Sequence, residues 1–281
     1  MGANDEQKKR FFGQINEEKS VAAYALTEPN AGSDVAGIKT QAILNGDKYI
    51  LNGHKRYITN GSPSSFITVF ALTNPEKGAR SLTAFVVPTD SPGIEIVADM
   101  RKMGQKASVQ TEFKFHDVEI PVENRIGREG QGFLLAMKTF ERTRTGVAAL
   151  AIGNAREAYE TSKEWAKKRI QFGKPITVNQ GVSFMLADMA TEIEAARLLT
   201  WNAAWAYDTG QKSANLLSAM SKLYASDIGM KVTTDAVQVM AGEGYSYDFL
   251  VEKMMRDAKL CQIYEGTNQI QRLVIGKGIL K

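Results

Sequence analysis

The 281-residue sequence has one cysteine, two histidines, seven prolines and three tryptophans. The single cysteine, Cys261, excludes an internal disulfide and any multi-cysteine zinc site. With only His54 and His116 for imidazole chemistry, no metal centre built by the protein is expected. No stretch approaches the ~20 apolar residues of a membrane-spanning helix. Met1-Gly2-Ala3-Asn4-Asp5 leads into charge, not into an apolar signal segment. Lys plus Arg number 35 against 31 Asp plus Glu, a formal charge of +4 with no basic stripe, so nucleic acid is not an evident partner. What is there is ordinary: 43% hydrophobic and 23% charged residues, as in a soluble globular protein and unlike a disordered or collagen-like chain. The length suits about two domains. Cysteine usage suits a reducing compartment, the cytoplasm of a bacterium or, after processing, a mitochondrial matrix.

The texture changes twice. Residues 1–20 are polar and charged and read as a helical lead-in. From 21 to 127, short runs rich in Val, Ile, Thr, Tyr and Phe are broken by Asn45-Gly46-Asp47, Asn52-Gly53, Asn60-Gly61-Ser62-Pro63 and Ser91-Pro92-Gly93. Turn signals this close predict antiparallel sheet, a small barrel or sandwich, with a hairpin at Asn52-Gly53 and buried strands at 66–72 and 82–87. From 128 to 281 the period becomes helical. Phe133, Met137, Phe140, Val147 and Ala151 fall on one face of a long helix. Further helices are predicted over 181–207, 214–240, 249–258 and 268–279, with breaks at Gly173-Lys174-Pro175, Thr209-Gly210 and Gly242-Glu243-Gly244. The fold class is therefore α+β: a small β domain followed by a four-helix bundle.

Three features stand out against an otherwise bland pattern. Arg144 falls in a gap of the inward stripe, where a guanidinium needs either a salt bridge from a neighbouring helix or an anionic ligand. Glu141 lies about one turn earlier and can share that face. Glu265 sits in Gln262-Ile263-Tyr264-Glu265-Gly266-Thr267-Asn268 between two helices. It is a solvent-facing loop carboxylate, or a base whose pKa its apolar neighbours raise. Thr27-Glu28-Pro29-Asn30-Ala31-Gly32-Ser33-Asp34 is a plain turn, or a set of amides and hydroxyls for a phosphate or heteroaromatic ligand. His54, after the hairpin turn, and His116, at a strand end, read as exposed; Cys261 reads as core.

Four segments then carry a family resemblance. Tyr24-Ala25-Leu26-Thr27-Glu28-Pro29-Asn30-Ala31-Gly32-Ser33-Asp34, Tyr57-Ile58-Thr59-Asn60-Gly61, Arg169-Ile170-Gln171-Phe172-Gly173-Lys174-Pro175 and Ile263-Tyr264-Glu265-Gly266-Thr267-Asn268-Gln269-Ile270-Gln271-Arg272 occur in order along the chain. In this the sequence resembles the short- and medium-chain type of acyl-CoA dehydrogenases, over essentially its whole length. The resemblance implies the family's middle β domain and C-terminal bundle, without its N-terminal helical domain. It implies FAD, contacted by Tyr24, Leu26 and Thr27, flanked by Tyr57 and Thr59, with Ser33 nearby. Arg169, Gln171 and Phe172, with Asn179 and Gln180, resemble the segment that reaches the FAD of a neighbouring subunit in a homotetramer. Gln238 and Gly242 match adenine-side contacts, with Ala241 where the family often has another glycine. Thr267 and Gln269 match contacts after the catalytic loop. Ser33, Glu141, Arg144, Gly266 and Lys277 match positions lining the CoA thioester.

The chemistry so implied is α,β-dehydrogenation of an acyl-CoA to a trans-2-enoyl-CoA. Glu265 takes the α-proton, flavin N5 takes the β-hydride, and electrons pass to electron-transferring flavoprotein. One subgroup places its base immediately before the arginine of the long helix; that position here is Thr143, which points to the base in the terminal loop. The same residues would serve an enoyl-CoA reductase running in reverse. A truncated, non-catalytic flavin-binding subunit is the alternative from another class.

Overall fold

The computed structural model describes residues 2–280. By density of internal contacts it divides into two compact units, one of residues up to 102 and 106–139, the other of 103–105 and 140 onward.

The first unit opens with α1 (Asp5–Glu18), started by a capping box in which Asn4 and Gln7 each bind the other's backbone N–H. The Gln7 amide also donates to the carbonyls of Glu123 and Arg125, at 2.7 and 2.8 Å, and the buried Phe11 ring packs 5.2 Å from Phe66. The strands are β1 (Val21–Ala25), β2 (Gln41–Asn45), β3 (Lys48–Thr59), β4 (Ser64–Leu72), β5 (Leu82–Pro88), β6 (Ile94–Asp99), β7 (Gln110–Pro121) and β8 (Arg125–Ile126). They form one sheet in the order β6-β7-β3-β2-β4-β5-β8, with β1 paired to β4. Most pairs are antiparallel, as the turn spacing predicts, but β1 and β2 each meet β4 in parallel. The sheet is thus mixed, and its path is open, not a closed barrel. Strand β4 sits between neighbours and is buried almost throughout, as is β5, while β6 is an exposed edge. Tyr49, Leu51, Ile67, Val69, Phe85, Phe113 and Phe115 lie at the centre of the core.

The hairpin predicted at Asn52-Gly53 is one turn too late. The chain reverses at Gly46 (φ 65°) and pairs Asn45 with Lys48; Asn52-Gly53 lies inside β3, at a bulge against β7. Glycine is required there for space, since a Cβ at Gly53 would stand 2.3 Å from the Thr40 hydroxyl. His54 is consequently half-buried mid-strand, its Nε2 2.7 Å from Glu112 Oε1, and not exposed after a turn. His116 is exposed, 3.0 Å from Glu95.

In the second unit, α2 (Gly132–Lys168, beginning in the first unit) is followed by a hairpin of β9 (Ile170–Gln171) and β10 (Lys174–Pro175). Then come α3 (Gln180–Asp208), α4 (Ala214–Tyr245), α5 (Val251–Cys261) and α6 (Asn268–Ile279). The buried face of α2 is made of small side chains, Ala148, Ala151, Ala155 and Ala158 beside Val147 and Ile152, and Phe133 of the predicted stripe is exposed. Small residues let helices approach closely: a Cβ on Gly229 of α4 would stand 3.3 Å from the Ala151 carbonyl oxygen. Helix α4 breaks at Ala241 (φ 54°, ψ −131°), one residue before the predicted Gly242. Among the described residues, no helix is long and apolar enough to cross a membrane.

Candidate functional site

Within the helical unit, the α5–α6 connection carries a carboxylate in an unusual setting. Glu265 (φ 56°) and Gly266 (φ 87°) are consecutive left-handed residues, a conformation that costs a non-glycine residue on the order of 1–2 kcal/mol. Thr267 then caps α6 by accepting the Ile270 N–H. The half-buried Glu265 carboxylate accepts a 2.8 Å hydrogen bond from the Thr143 hydroxyl of α2. Burial pushes its pKa up, against the Thr143 donor and the charges of Arg144 and Lys222, and the net direction is upward. Thr143, the neutral residue at the subgroup's base position, is here the partner of the loop glutamate.

Arg144, one residue on, is only 5% exposed. No ion pair holds it among the described residues. Its Nη1 is 3.5 Å from Asn215 Oδ1, and its buried Nε has no protein acceptor. Burial lowers its pKa, opposed by Glu141, Tyr207 and Glu265. Of the two readings open for this residue, the helix-to-helix salt bridge is therefore not what the fold supplies. Asn215 also donates to Glu141 Oε1 at 2.9 Å, so α4 ties Glu141 and Arg144 together. The Glu141 carbonyl accepts from Tyr207 and Ser218, both at 2.7 Å. Glu141, Arg144, Glu265 and Gly266 are thus brought to one region. Lys277 lies exposed in the last turn of α6, and Gln269 is exposed beside the half-buried Thr267.

Gln238 and Gly242 lie exposed on either side of the α4 break. Arg169, Gln171 and Phe172 form the β9–β10 hairpin, with Asn179 and Gln180 exposed where α3 starts. Phe172 (φ 50°) and Gly173 (φ 78°) make the turn, and the phenyl ring is 99% exposed. This aromatic tip, held in the left-handed region, packs against nothing among the described residues.

Within the sheet unit, β1 runs from Val21 to Ala25 and carries the half-buried Tyr24 into buried Leu26 and half-buried Thr27. The Arg56 N–H donates to the Thr27 carbonyl at 2.9 Å, which ties that segment to β3 just before the exposed Tyr57 (φ 62°) and Thr59. The turn that follows is closed by paired Glu28 and Ala31 backbone bonds, with Ser33 exposed beyond it. Beneath it sits an ion pair absent from the sequence reading. Lys55 Nζ, 0% exposed, donates at 2.9 Å both to the Leu26 carbonyl and to Glu28, whose carboxylate also accepts the N–H groups of Lys39 and Thr40.

The sequence reading also missed Lys222, Asn215, Ser218 and Gln271. The signal for Lys222 was present: Ser218, Ala225, Ser226 and Gly229 surround it at helical spacing, so this lysine sits on a face of small buried residues.

Comparison with known proteins follows the same two-part division. Residues 23–118 match the family model "Acyl-CoA dehydrogenase, middle domain", and residues 130–280 match "Acyl-CoA dehydrogenase, C-terminal domain". The chain belongs to the acyl-CoA dehydrogenase family. It is 48% identical over 280 residues to cyclohex-1-ene-1-carbonyl-CoA dehydrogenase of Geobacter metallireducens, covering 99% of this chain and 74% of that protein. It is similar to the structure of butyryl-CoA dehydrogenase from Megasphaera elsdenii, with a TM-score of 0.96 and 44% identity, over 99% of this chain and 73% of that one. A chain in the structure of the electron transferring flavoprotein of Acidaminococcus fermentans matches with a TM-score of 0.96 and 45% identity, over 99% and 73%. Acyl-CoA dehydrogenases are flavoprotein oxidoreductases that bind FAD, and the tetramer is typical of the family.

Proposed function

We propose that this acyl-CoA dehydrogenase removes the α-proton of an acyl-CoA thioester with Glu265 and yields a trans-2-enoyl-CoA. The observation that carries this is the Glu265 carboxylate itself. It is held in a left-handed loop, bound by a neutral hydroxyl and raised in pKa by burial. A thioester α-proton is weakly acidic, so a base of raised pKa in a site that excludes water is the right kind of group. Arg144, buried with an unengaged Nε, offers a donor to the thioester or its pantetheine arm. Glu141, Ser33, Gly266 and Lys277 are the other groups we assign to the CoA ester.

The residues fit FAD by their donor set. Tyr24, Leu26, Thr27, Ser33, Tyr57 and Thr59 offer backbone groups, hydroxyls and, in Tyr57, an exposed ring of the kind an isoalloxazine uses. Thr267 and Gln269 follow the catalytic loop. Arg169 and Gln171 supply a cation and an amide, and the exposed Phe172 an aromatic face, suited to a diphosphate and an adenine of a second subunit, with Asn179, Gln180, Gln238 and Gly242. When bound, FAD supplies the acceptor for the β-hydride. The likeness to the Acidaminococcus fermentans chain supports electron-transferring flavoprotein as the onward acceptor, and the bare hairpin tip supports a homotetramer.

The test is the visible spectrum of the flavin-loaded protein before and after anaerobic addition of butyryl-CoA and octanoyl-CoA. Bleaching by one of them supports acyl-CoA oxidation and reports chain-length preference. Glu265→Gln should keep the flavin and abolish bleaching; bleaching at the unmutated rate would remove Glu265 from the base role.

A further inference from the structure

Lys222 is the one fully buried lysine of the helical unit, among the described residues, and it is held only by neutral acceptors. Its Nζ donates to the Gly266 carbonyl at 2.9 Å and to Asn268 Oδ1 at 2.8 Å, and among the described residues no carboxylate lies within 4.0 Å. A buried ammonium without a counter-ion is costly, and burial pulls this one down to about 8. The ionisable groups that act on it are Cys261 of α5, Arg144 of α2, Asp227 of its own helix and Glu265 of the loop. Such a residue persists where its hydrogen bonds hold something in place.

What they hold is the left-handed turn. The Gly266 carbonyl receives Lys222 Nζ and, at 2.8 Å, Nε2 of the buried Gln271, which also donates to the Glu265 carbonyl at 3.2 Å. Asn268, the other acceptor of Lys222, donates to Ser226 and Asp227, so the loop is pinned to α4 on both sides of Thr267. Thr143 and Arg144 of α2 and Lys222 of α4 are the groups that face the Glu265 carboxylate.

We propose that Lys222 is a positioning residue for the dehydrogenation: it clamps the Glu265–Gly266 turn, so that the carboxylate stays against Thr143, and its charge favours the ionised form of that base. The inference rests on Glu265 being the base. It gives Lys222 a part in the reaction that neither the resemblance nor the family match assigns to it.

The experiment compares Lys222→Met and Lys222→Gln with the unmutated, flavin-loaded protein. The rate of anaerobic bleaching by butyryl-CoA is measured against pH, and hydrogen exchange over residues 262–268 is followed by mass spectrometry. In Lys222→Met, loss of a charge-assisted hydrogen bond predicts ~10- to 100-fold slower bleaching and at least ~10-fold faster loop exchange. The acid limb of its rate profile moves to higher pH, a shift that loss of packing alone would not produce. Lys222→Gln keeps a donor without the charge, so part of the rate returns while the limb stays displaced. A folded Lys222→Met with exchange, rate and acid limb all unchanged overturns the proposal. If neither variant folds, Lys222 is a stability residue and the assignment likewise falls. Glu265→Gln separates the two ideas: turnover in that variant sinks the base assignment, whereas loop exchange reads the clamp without any turnover.

Discussion

Lys55→Met is the sharpest test of how the segment assigned to the flavin is held. Lys55 is wholly buried and Glu28 nearly so, so removing the ammonium strands a carboxylate and strips the Leu26 carbonyl of its donor. Breaking a buried pair from one side costs roughly 3–5 kcal/mol. The lower end applies, because Glu28 keeps the N–H groups of Lys39 and Thr40, at 2.8 and 3.0 Å, and the methionine has no ammonium to desolvate. A cost of about 3 kcal/mol corresponds to a roughly 100-fold larger opening constant. Hydrogen exchange by mass spectrometry should show that acceleration in peptides covering 22–31 and 38–42, with peptides of α3 and α4 as the unperturbed reference. Flavin retention on a desalting column should fall with it. The double variant Lys55→Met/Glu28→Gln should recover about half of the loss, because a neutral amide is far cheaper to bury than an orphaned charge. Acceleration below about 3-fold in the single variant would refute the reasoning and show the pair to be dispensable.

Other predictions follow from particular residues. Since burial raises the Glu265 pKa, its ionisation costs stability: its contribution is full below the unfolded pKa and is lost as pH rises through the folded one. Glu265→Gln, expected to abolish bleaching, should therefore melt higher than the parent at pH 7, and a lower melting temperature would contradict the burial argument. The same shift has a kinetic face: bleaching by butyryl-CoA should decline with falling pH through a midpoint above the ordinary glutamate value, and a midpoint at or below it would refute the assignment. Ala241→Gly should stabilise the protein by about 1 kcal/mol in urea titration, because φ 54° with ψ −131° is a conformation only glycine adopts freely; destabilisation would show the kink to be held by the alanine's packing.

The division into sheet and helices was legible because period and turn chemistry are local. Runs at 66–72 and 82–87 announced strands buried on both sides, and the small residues at Thr209-Gly210 announced the end of α3. Local rules failed where a long-range neighbour decided the outcome. Asn52-Gly53 carries the composition of a hairpin turn, yet Thr40 fills the space in which a Cβ at Gly53 would stand, and the strand runs straight through as a bulge. Parallel pairing of β1 and β2 with β4 is likewise a property of topology, to which turn spacing is blind.

The site divides along the same line. Arg144 could be suspected from its place on an apolar face, and Glu265 from the glycine after it, since both signals are written within a few residues. Their partners could not, because Asn215, Lys222 and Gln271 are ordinary helix residues whose meaning depends on which helix lies opposite. Thr143 shows the limit most plainly: read alone it is only a neutral residue where some relatives have a base, and in the fold its hydroxyl donates to the loop carboxylate of Glu265, the base we propose. The unit therefore buries two cations, Arg144 and Lys222, whose charges both act on one raised-pKa carboxylate. Among the described residues neither cation forms an ion pair with it; either at contact distance would lower the pKa of Glu265 and weaken it as a base. A glutamate needed as a base at neutral pH is served better by a hydroxyl at 2.8 Å and positive charge held further off, and that is the arrangement the helices enforce.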